Sequence, residues 1–182
     1  IRILNHAFTE VMLDGEKEKR LPYRTVLYSC PKKSGKTELA GAITYAWSRV
    51  YGGEMLSIAN DKDQAKERMF SRVEKMLSWL QQHDPERYKR EVTQQDVDYI
   101  EFKNPLAQIK AIPCDPYGEA GGHYSLTVWD ELWAYGRTET TWKLWAELQP
   151  VPTVKNSMRL VTTYAGWYGE SEVLWSIYEQ VV

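Results

Sequence analysis

The run Gly35-Lys36-Thr37 contains the residue types that bind phosphate groups. A glycine permits a tight turn of backbone N–H groups around anionic oxygens, a lysine reaches the β- and γ-phosphates, and a threonine hydroxyl binds Mg²⁺. The tripeptide also fits an ordinary solvated lysine turn at the start of a helix. Its place between an apolar run and a helical pattern favours a phosphate-binding loop backed by a helix N-terminus.

The loop departs from the usual pattern, because Cys30 stands where such loops commonly begin with glycine. The change costs backbone freedom but leaves the lysine, the hydroxyl and the Gly35 turn in place. Lys32 and Lys33 add positive charge, and one of them is expected to reach the γ-phosphate as an arginine finger in cis does elsewhere. The predicted nucleotide-binding residues are Pro31, Lys32, Lys33, Ser34, Gly35, Lys36, Thr37 and Glu38, with Lys36 also predicted to be catalytic.

Two carboxylates follow the apolar strand pattern of "LTVWDEL". An aspartate at a strand end beside a phosphate loop holds Mg²⁺, and a following glutamate orients and polarises the attacking water. We therefore predict Asp130 and Thr37 as the metal side of the site and Glu131 as the general base. A pair that only caps the next turn is the alternative. A nucleotide kinase transfers phosphate to a substrate and needs no residue to activate water. The Asp-Glu pair therefore favours hydrolysis.

A third segment, "LVTTYAG", places Thr162 and Thr163 directly after an apolar run. Their hydroxyls are predicted to lie at a strand end near the γ-phosphate, where they sense it and couple its loss to movement. Threonine is common in strands, so ordinary strand residues are the alternative.

The element pattern predicts one α/β domain over residues 1–182, with residues 1–20 as a lead-in. Strands alternate with helices, which indicates a mostly parallel sheet with helices on both faces, as in P-loop NTPases of the RecA/ASCE-like type. The predicted strands are 23–30, 54–60, 125–131 and 157–166, the first of them predicted to be buried, with a hairpin of 97–102 and 107–113. The predicted helices are 39–50, 61–82, 138–148 and 171–182.

Composition limits the classes of partner. The net charge is -2 and the pI about 6.0, which excludes a strongly basic monomer that coats nucleic acid by charge alone. Local DNA contacts are predicted on the basic face of residues 62–75 and around Arg87, Lys89 and Arg90, with a plain solvated helix face as the alternative. Two cysteines outside any CxxC pair and no long apolar segment predict a soluble protein of a reducing compartment with no membrane contact.

These segments, in this order, resemble the ATPase domain of a viral large terminase subunit, the motor that packages double-stranded DNA into the heads of tailed phages. The resemblance rests on "PYRTVLYSCPKKSGKTELA", "SIANDKDQAKERMF", "GGHYSLTVWDELWA" and "RLVTTYAG". It covers roughly residues 20–182. Lys32 matches the family's basic residue three places before the loop glycine, which implies a catalytic role for Lys32. Thr162 and Thr163 match the family's coupling motif.

The resemblance implies an Mg-ATP-hydrolysing motor that moves double-stranded DNA into the procapsid. It implies a homopentameric ring, a portal protein and a small terminase subunit as partners, and a location in the host cytoplasm and transiently on the procapsid. Large terminases continue into a nuclease domain, which we expect to be absent from this chain. A helicase-like ATPase, which would need a second RecA-like domain, and a nucleotide-gated binding module with little turnover are the rival functions.

Two family features are missing. No glutamine precedes Gln64, so Pro22, Tyr23 and Arg24 are predicted to cover the adenine instead of the usual glutamine motif. No arginine occurs in residues 118–126, where many members carry a trans-acting one. Arg137 and Arg159 are the remaining arginine-finger candidates, and each also fits an ordinary surface or salt-bridge role.

Overall fold

The computed structural model describes residues 2–59, 65–114, 121–135 and 138–181 of the chain. The strands are β1 (Val11–Met12), β2 (Lys19–Arg20), β3 (Thr25–Ser29), β4 (Gly53–Ala59), β5 (Val92–Gln95), β6 (Tyr99–Phe102), β7 (Ala107–Pro113), β8 (Tyr124–Asp130) and β9 (Met158–Thr163). The α-helices are α1 (Arg2–Phe8), α2 (Lys36–Val50), α3 (Ser71–His83), α4 (Pro85–Glu91), α5 (Glu139–Glu147) and α6 (Glu172–Val181). A π-helical segment (Lys66–Phe70) precedes α3, and a 3₁₀ turn (Leu132–Ala134) follows β8.

Seven strands form one sheet in the order β3-β9-β8-β4-β7-β6-β5. Neighbours from β3 to β7 pair in parallel, whereas β6 is antiparallel to both β7 and β5. Strands β1 and β2 form a separate antiparallel pair. The predicted α/β class, the mostly parallel sheet and the β6–β7 hairpin are confirmed.

Helices cover both faces of the sheet, as the alternation of elements predicted. On one face α2 and α3 contribute buried apolar side chains such as Trp47 and Leu77. On the other face α5 and α6 contribute Leu144 and Leu174 to a second core cluster. Strand β8 lies between the two clusters, and all of its residues are buried. This packing holds Asp130, the last residue of β8, in a defined position. No described helix is long and apolar enough to cross a membrane.

The predicted burial of the first strand is wrong. Strand β3 is an edge strand of the main sheet, and its five residues are half-buried or exposed. Its apolar composition suggested a central position, but an edge strand needs only one covered side.

The helix predicted over residues 61–82 is broken in its described part, while residues 60–64 lie outside the described residues. Arg68 has φ -91° and ψ -110°, and the π-helical segment around it gives way to α3. Most of the predicted apolar face is nevertheless buried. Its buried members are Ala65, Met69, Val73, Leu77 and Leu80.

The buried carboxylate of Glu91 links α4 to α2, and its replacement should lower the free energy of unfolding. Glu91 accepts hydrogen bonds from Arg87 Nε (2.7 Å) and Tyr45 Oη (2.9 Å), and pairs with Arg49 Nε at 3.3 Å. Burial raises the pKa of Glu91, but these three partners outweigh burial and leave the pKa below its ordinary value.

We expect Glu91→Gln to lower the free energy of unfolding by about 1–3 kcal/mol, because three donors lose a charged acceptor that is itself buried. The native carboxylate has the lower pKa, so its contribution is present above the unfolded-state pKa and is lost as the pH falls through the native one. Chemical denaturation at neutral and acid pH measures this. A variant as stable as the wild type at neutral pH would contradict it, and exposed Glu86→Gln is the control.

Candidate nucleotide-binding site

Strand register brings the predicted segments to one edge of the sheet. Ser29 pairs with Thr163, and Asp130 pairs with Thr162, so β9 lies between the strand before the loop and the strand before the acidic pair. The pairing continues past both strand ends, where Cys30 N donates to Thr163 O (3.0 Å) and Glu131 N donates to Thr162 O (2.7 Å). The C-terminal ends of parallel strands are where α/β proteins bind ligands.

The loop obtains its turn from residues other than Cys30. Gly35, which precedes α2, has φ +79°, and Lys33 has φ +63°. Cys30 has no positive φ and extends the strand pairing through its N–H. This explains why the glycine usually found at that place is not needed here.

The N-terminus of α2 has no side-chain cap. By contrast, Asp84 caps α4 and Thr138 caps α5. The first backbone N–H groups of a helix have no partner within the helix, and together with the helix dipole they favour an anion. The start of α2 is therefore suited to phosphate oxygens.

Replacing Gly35 by alanine should weaken nucleotide binding. The loss of affinity should exceed what the loss of unfolding free energy accounts for. A Cβ at Gly35 would meet no atom within 4 Å, so the cost is the left-handed backbone alone, about 1–2 kcal/mol. Gly15 is a matched control, with a φ of +82° and equally open surroundings in the turn between β1 and β2. We expect similar losses of unfolding free energy in both alanine variants, and weaker ATP binding by calorimetry only in Gly35→Ala. Equal ATP affinities would refute a role for this turn.

Asp130 lies between the hydroxyls of two predicted site residues. Thr37 Oγ1 donates to Asp130 Oδ2 (3.2 Å), and Thr162 Oγ1 donates to Oδ1 (2.8 Å). Burial raises the pKa of the Asp130 carboxyl; the charge of Glu131 adds to the rise, while the two hydroxyls and Arg68 oppose it. A buried carboxylate whose charge is compensated mainly by neutral hydroxyls is suited to a cation.

Glu131 faces the loop lysine. Its Oε1 lies 2.9 Å from Lys36 Nζ, and its Oε2 accepts a hydrogen bond from Trp133 Nε1 at 2.7 Å. The Lys36 side chain is 7% exposed and that of Glu131 is 17% exposed. The predicted catalytic lysine and the predicted base thus form a largely buried ion pair.

A backbone turn puts both carboxylates on the loop side. Neighbouring residues of a strand point to opposite faces, yet Asp130 and Glu131 contact Thr37 and Lys36, which are adjacent at the start of α2. The reason is that β8 ends at Asp130 and Glu131 turns into the left-handed region (φ +58°, ψ +45°). Lys33 and Glu131 are the two non-glycine residues with positive φ in the described part of the chain. Such strained residues cluster at functional sites.

Two aromatic rings that sequence reasoning did not assign to the site lie under its charged groups. The Tyr164 ring centroid is 4.9 Å from Lys32 Nζ and 5.4 Å from Lys36 Nζ, and the Trp133 ring packs on Tyr164 at 4.7 Å. Lysine ammonium groups at these distances are attracted to the ring face. Tyr164 follows the Thr162–Thr163 motif directly, and Trp133 comes two residues after Glu131. Their closeness in sequence to the predicted site residues is the signal that could have identified them.

The remaining loop residues lie on the surface of the site. Pro31, Lys33, Ser34 and Glu38 are exposed. The Ser34 hydroxyl donates to the Pro31 carbonyl (2.6 Å), which tightens the loop. Glu38 pairs with Arg72 Nε of α3 at 2.9 Å.

The structure does not bring the predicted adenine-covering residues to the loop. Pro22, Tyr23 and Arg24 precede β3, whereas the loop follows it, and the strand separates them by about 13 Å. Tyr23 Oη instead lies 2.7 Å from His6 Nε2, and Arg24 Nη1 donates to the Val151 carbonyl. That these residues cover the base stays a prediction.

Arg159 is also placed away from the site. It is 3% exposed, its Nη2 donates to the carbonyls of Trp145 and Leu148 at the end of α5, and its guanidinium lies 3.5 Å from the Trp145 ring centroid. Burial lowers its pKa to about 9. A finger that acts in trans must be accessible to a neighbour, so this arrangement makes Arg159 a helix cap. The other candidate, Arg137, lies outside the described residues.

The predicted basic face is partly occupied by ion pairs. Lys66 Nζ lies 3.7 Å from Asp98 Oδ2, Arg72 pairs with Glu38, and the Arg68 charge acts on Asp130. Arg87 and Lys89 pair with glutamates of their own helix. Lys62 lies outside the described residues. These contacts favour the alternative of an ordinary charged helix surface over a DNA-gripping face.

The fold defines the class: a mixed α/β protein whose seven-stranded, mostly parallel sheet carries helices on both faces. The crystal structure of the HK97 bacteriophage large terminase is similar to this chain, with a TM-score of 0.66 and 16% sequence identity. The similarity covers 86% of this chain and 33% of the terminase chain, so this chain spans about a third of that protein. No protein-family model matches the sequence. No curated protein matches it either.

Proposed function

We propose that this chain is the Mg-ATP-hydrolysing motor domain of a terminase large subunit and drives double-stranded DNA into a procapsid. One observation carries the proposal: Lys36 meets Glu131 and Thr37 meets Asp130 at the C-terminal edge of the sheet. The fold shared with the HK97 terminase supports the motor role. A pentameric ring, a portal protein and a small subunit as partners are part of the same proposal.

The residues present fit Mg²⁺. Thr37 Oγ1 and Asp130 Oδ2 are hard oxygen donors 3.2 Å apart. The described residues hold no cluster of three or more metal-binding His, Cys, Asp or Glu side chains. Two protein oxygens suffice, because Mg²⁺ at phosphate sites keeps waters and takes substrate oxygens. Bound there, the ion would neutralise charge on the phosphates.

The protein side chains supply the other parts of the reaction. Lys36 moves from Glu131 to the β- and γ-phosphate oxygens, and the start of α2 binds the same anion. Lys32, held near Tyr164, reaches the γ-phosphate from the loop side. Glu131 accepts a proton from the attacking water, whose oxygen bonds to the γ-phosphorus as the bond to the bridging oxygen of ADP breaks.

The coupling role of Thr162 and Thr163 rests on their contacts. Thr162 donates to Asp130, and Thr163 Oγ1 accepts from Trp133 N at 3.2 Å. Both threonines are fully buried. A change at the γ-phosphate that moves Asp130 or Glu131 is therefore transmitted to the end of β9 and the segment after it.

Phosphate release from ATP, with and without Mg²⁺ and double-stranded DNA, tests the proposal. We expect Mg²⁺-dependent turnover. Binding without hydrolysis in a single turnover would favour a nucleotide-gated module, and stimulation by single-stranded but not double-stranded nucleic acid would favour a helicase-like ATPase. No binding of ATP would refute all three.

A further inference from the structure

The indole of Trp133 forms a hydrogen bond with one carboxylate oxygen of Glu131, while Lys36 pairs with the other. Nε1 donates to Oε2 at 2.7 Å, while Oε1 pairs with Lys36 Nζ at 2.9 Å. Hydrogen bonds to a charged acceptor are short and strong. With a donor on each oxygen, the orientation of the carboxylate is fixed.

Trp133 is itself held by buried groups. Its N–H donates to Thr163 Oγ1 (3.2 Å), its carbonyl accepts from Ser171 Oγ (2.8 Å), and its ring packs against Tyr164. Thr163 is 0% exposed and Ser171 is 1% exposed. The indole donor is therefore built into β9 and the start of α6 rather than into a free surface loop.

Nucleotide binding would release one of the two contacts. Lys36 is the residue that the triphosphate recruits, and the negative charge of the β- and γ-phosphates competes with Glu131 for its ammonium group. Trp133 is directed at the carboxylate and lies outside the phosphate loop. It remains as the donor that keeps the carboxylate in place.

We propose that Trp133 is a positioning residue for Glu131, holding Oε2 so that Oε1, freed by Lys36, faces the attacking water. This inference rests on the proposed ATPase function. Oε1 takes the proton, the water oxygen bonds to the γ-phosphorus, and ADP departs with the bridging oxygen. Trp133 itself forms and breaks no covalent bond.

Three substitutions separate the hydrogen bond from packing. Trp133→Phe keeps a ring against Tyr164 but removes the donor, and Trp133→His keeps a ring N–H. Trp142→Phe on α5 is the control, since Trp142 is exposed and lines a surface cavity with Glu172 and Trp175 of α6. We expect Trp133→Phe to lower kcat about 10- to 100-fold with little change in KM, Trp133→His to recover part of the loss, and Trp142→Phe to equal the wild type.

An active wild type with an unchanged kcat in Trp133→Phe would overturn the inference and leave the proposed function standing. Equal losses in the Phe and His variants would overturn it too, because packing rather than the donor would then matter. A wild type that neither binds nor hydrolyses ATP would refute the proposed function instead.

A spectroscopic measurement does not depend on those variants folding. The indole ¹H–¹⁵N signal of Trp133, assigned by NMR in the wild type, should shift in Glu131→Ala and not in Glu139→Gln, a change on the surface of α5. With a non-hydrolysable ATP analogue and Mg²⁺ it should stay near its nucleotide-free position. A signal insensitive to Glu131→Ala, or one that moves to the position of a water-exposed indole when nucleotide binds, would contradict the inference.

Discussion

Replacing Glu131 by glutamine should slow ATP hydrolysis by orders of magnitude while ATP binds at least as tightly as to the wild type. Glutamine has the same shape and can still accept the Trp133 hydrogen bond, but it cannot take a proton from water at neutral pH. General bases contribute about 10²- to 10⁴-fold to rate, so single-turnover hydrolysis should fall by that factor. Rapid-quench measurement of phosphate release gives the rate.

The ion pair explains why affinity should not fall. In the nucleotide-free site Lys36 lies 2.9 Å from Glu131, and a neutral glutamine frees the ammonium for the phosphates. Glu139→Gln, at an exposed surface pair, is the control and should behave like the wild type in both assays. If Glu131→Gln hydrolysed ATP at the wild-type rate, Glu131 would not be the base.

Replacing Lys36 by alanine should weaken ATP binding itself. The ammonium is the buried cation of the site, and hydrogen bonds to charged groups contribute about 1.5–3 kcal/mol, or roughly 10- to 100-fold in affinity. Calorimetric titration with an ATP analogue measures the loss. Glu131→Gln should bind ATP but hydrolyse it far more slowly, whereas Lys36→Ala should already be impaired in binding ATP.

Lys155→Ala provides the comparison, because Lys155 is half-exposed in a 3.4 Å pair with Glu18 far from the loop. Loss of Lys36 also leaves Glu131 without its partner, so thermal unfolding should be followed in parallel. Wild-type affinity in a folded Lys36→Ala variant would show that the nucleotide does not bind at this loop.

The main elements of the fold were predictable because their periodicity is strong. Strand β8 is a continuous apolar run, and α2 repeats its apolar residues at helical spacing. Strand β5 was missed because "VTQQ" is short and polar, and it pairs only with β6. The break at Arg68 was missed because the apolar face continues through it, so side-chain spacing shows no interruption.

The residues of the site could be predicted from sequence motifs, but the contacts between them could not. Lys36, Thr37, Asp130 and Glu131 carry chemistry that residue type reveals, whereas their pairing depends on β9 lying between β3 and β8. The left-handed turn at Glu131 has no sequence signal, since glutamate has no preference for positive φ. Without that turn the strand alternation would direct Glu131 to the opposite face from Asp130.

A crystal structure with a non-hydrolysable ATP analogue and Mg²⁺ tests the central claim most directly. We expect Lys36 Nζ within hydrogen-bond distance of the β- and γ-phosphate oxygens, no longer 2.9 Å from Glu131 Oε1, with the metal beside Thr37 and Asp130. A nucleotide bound elsewhere, or a Lys36–Glu131 pair that persists beside a bound triphosphate, would contradict the account.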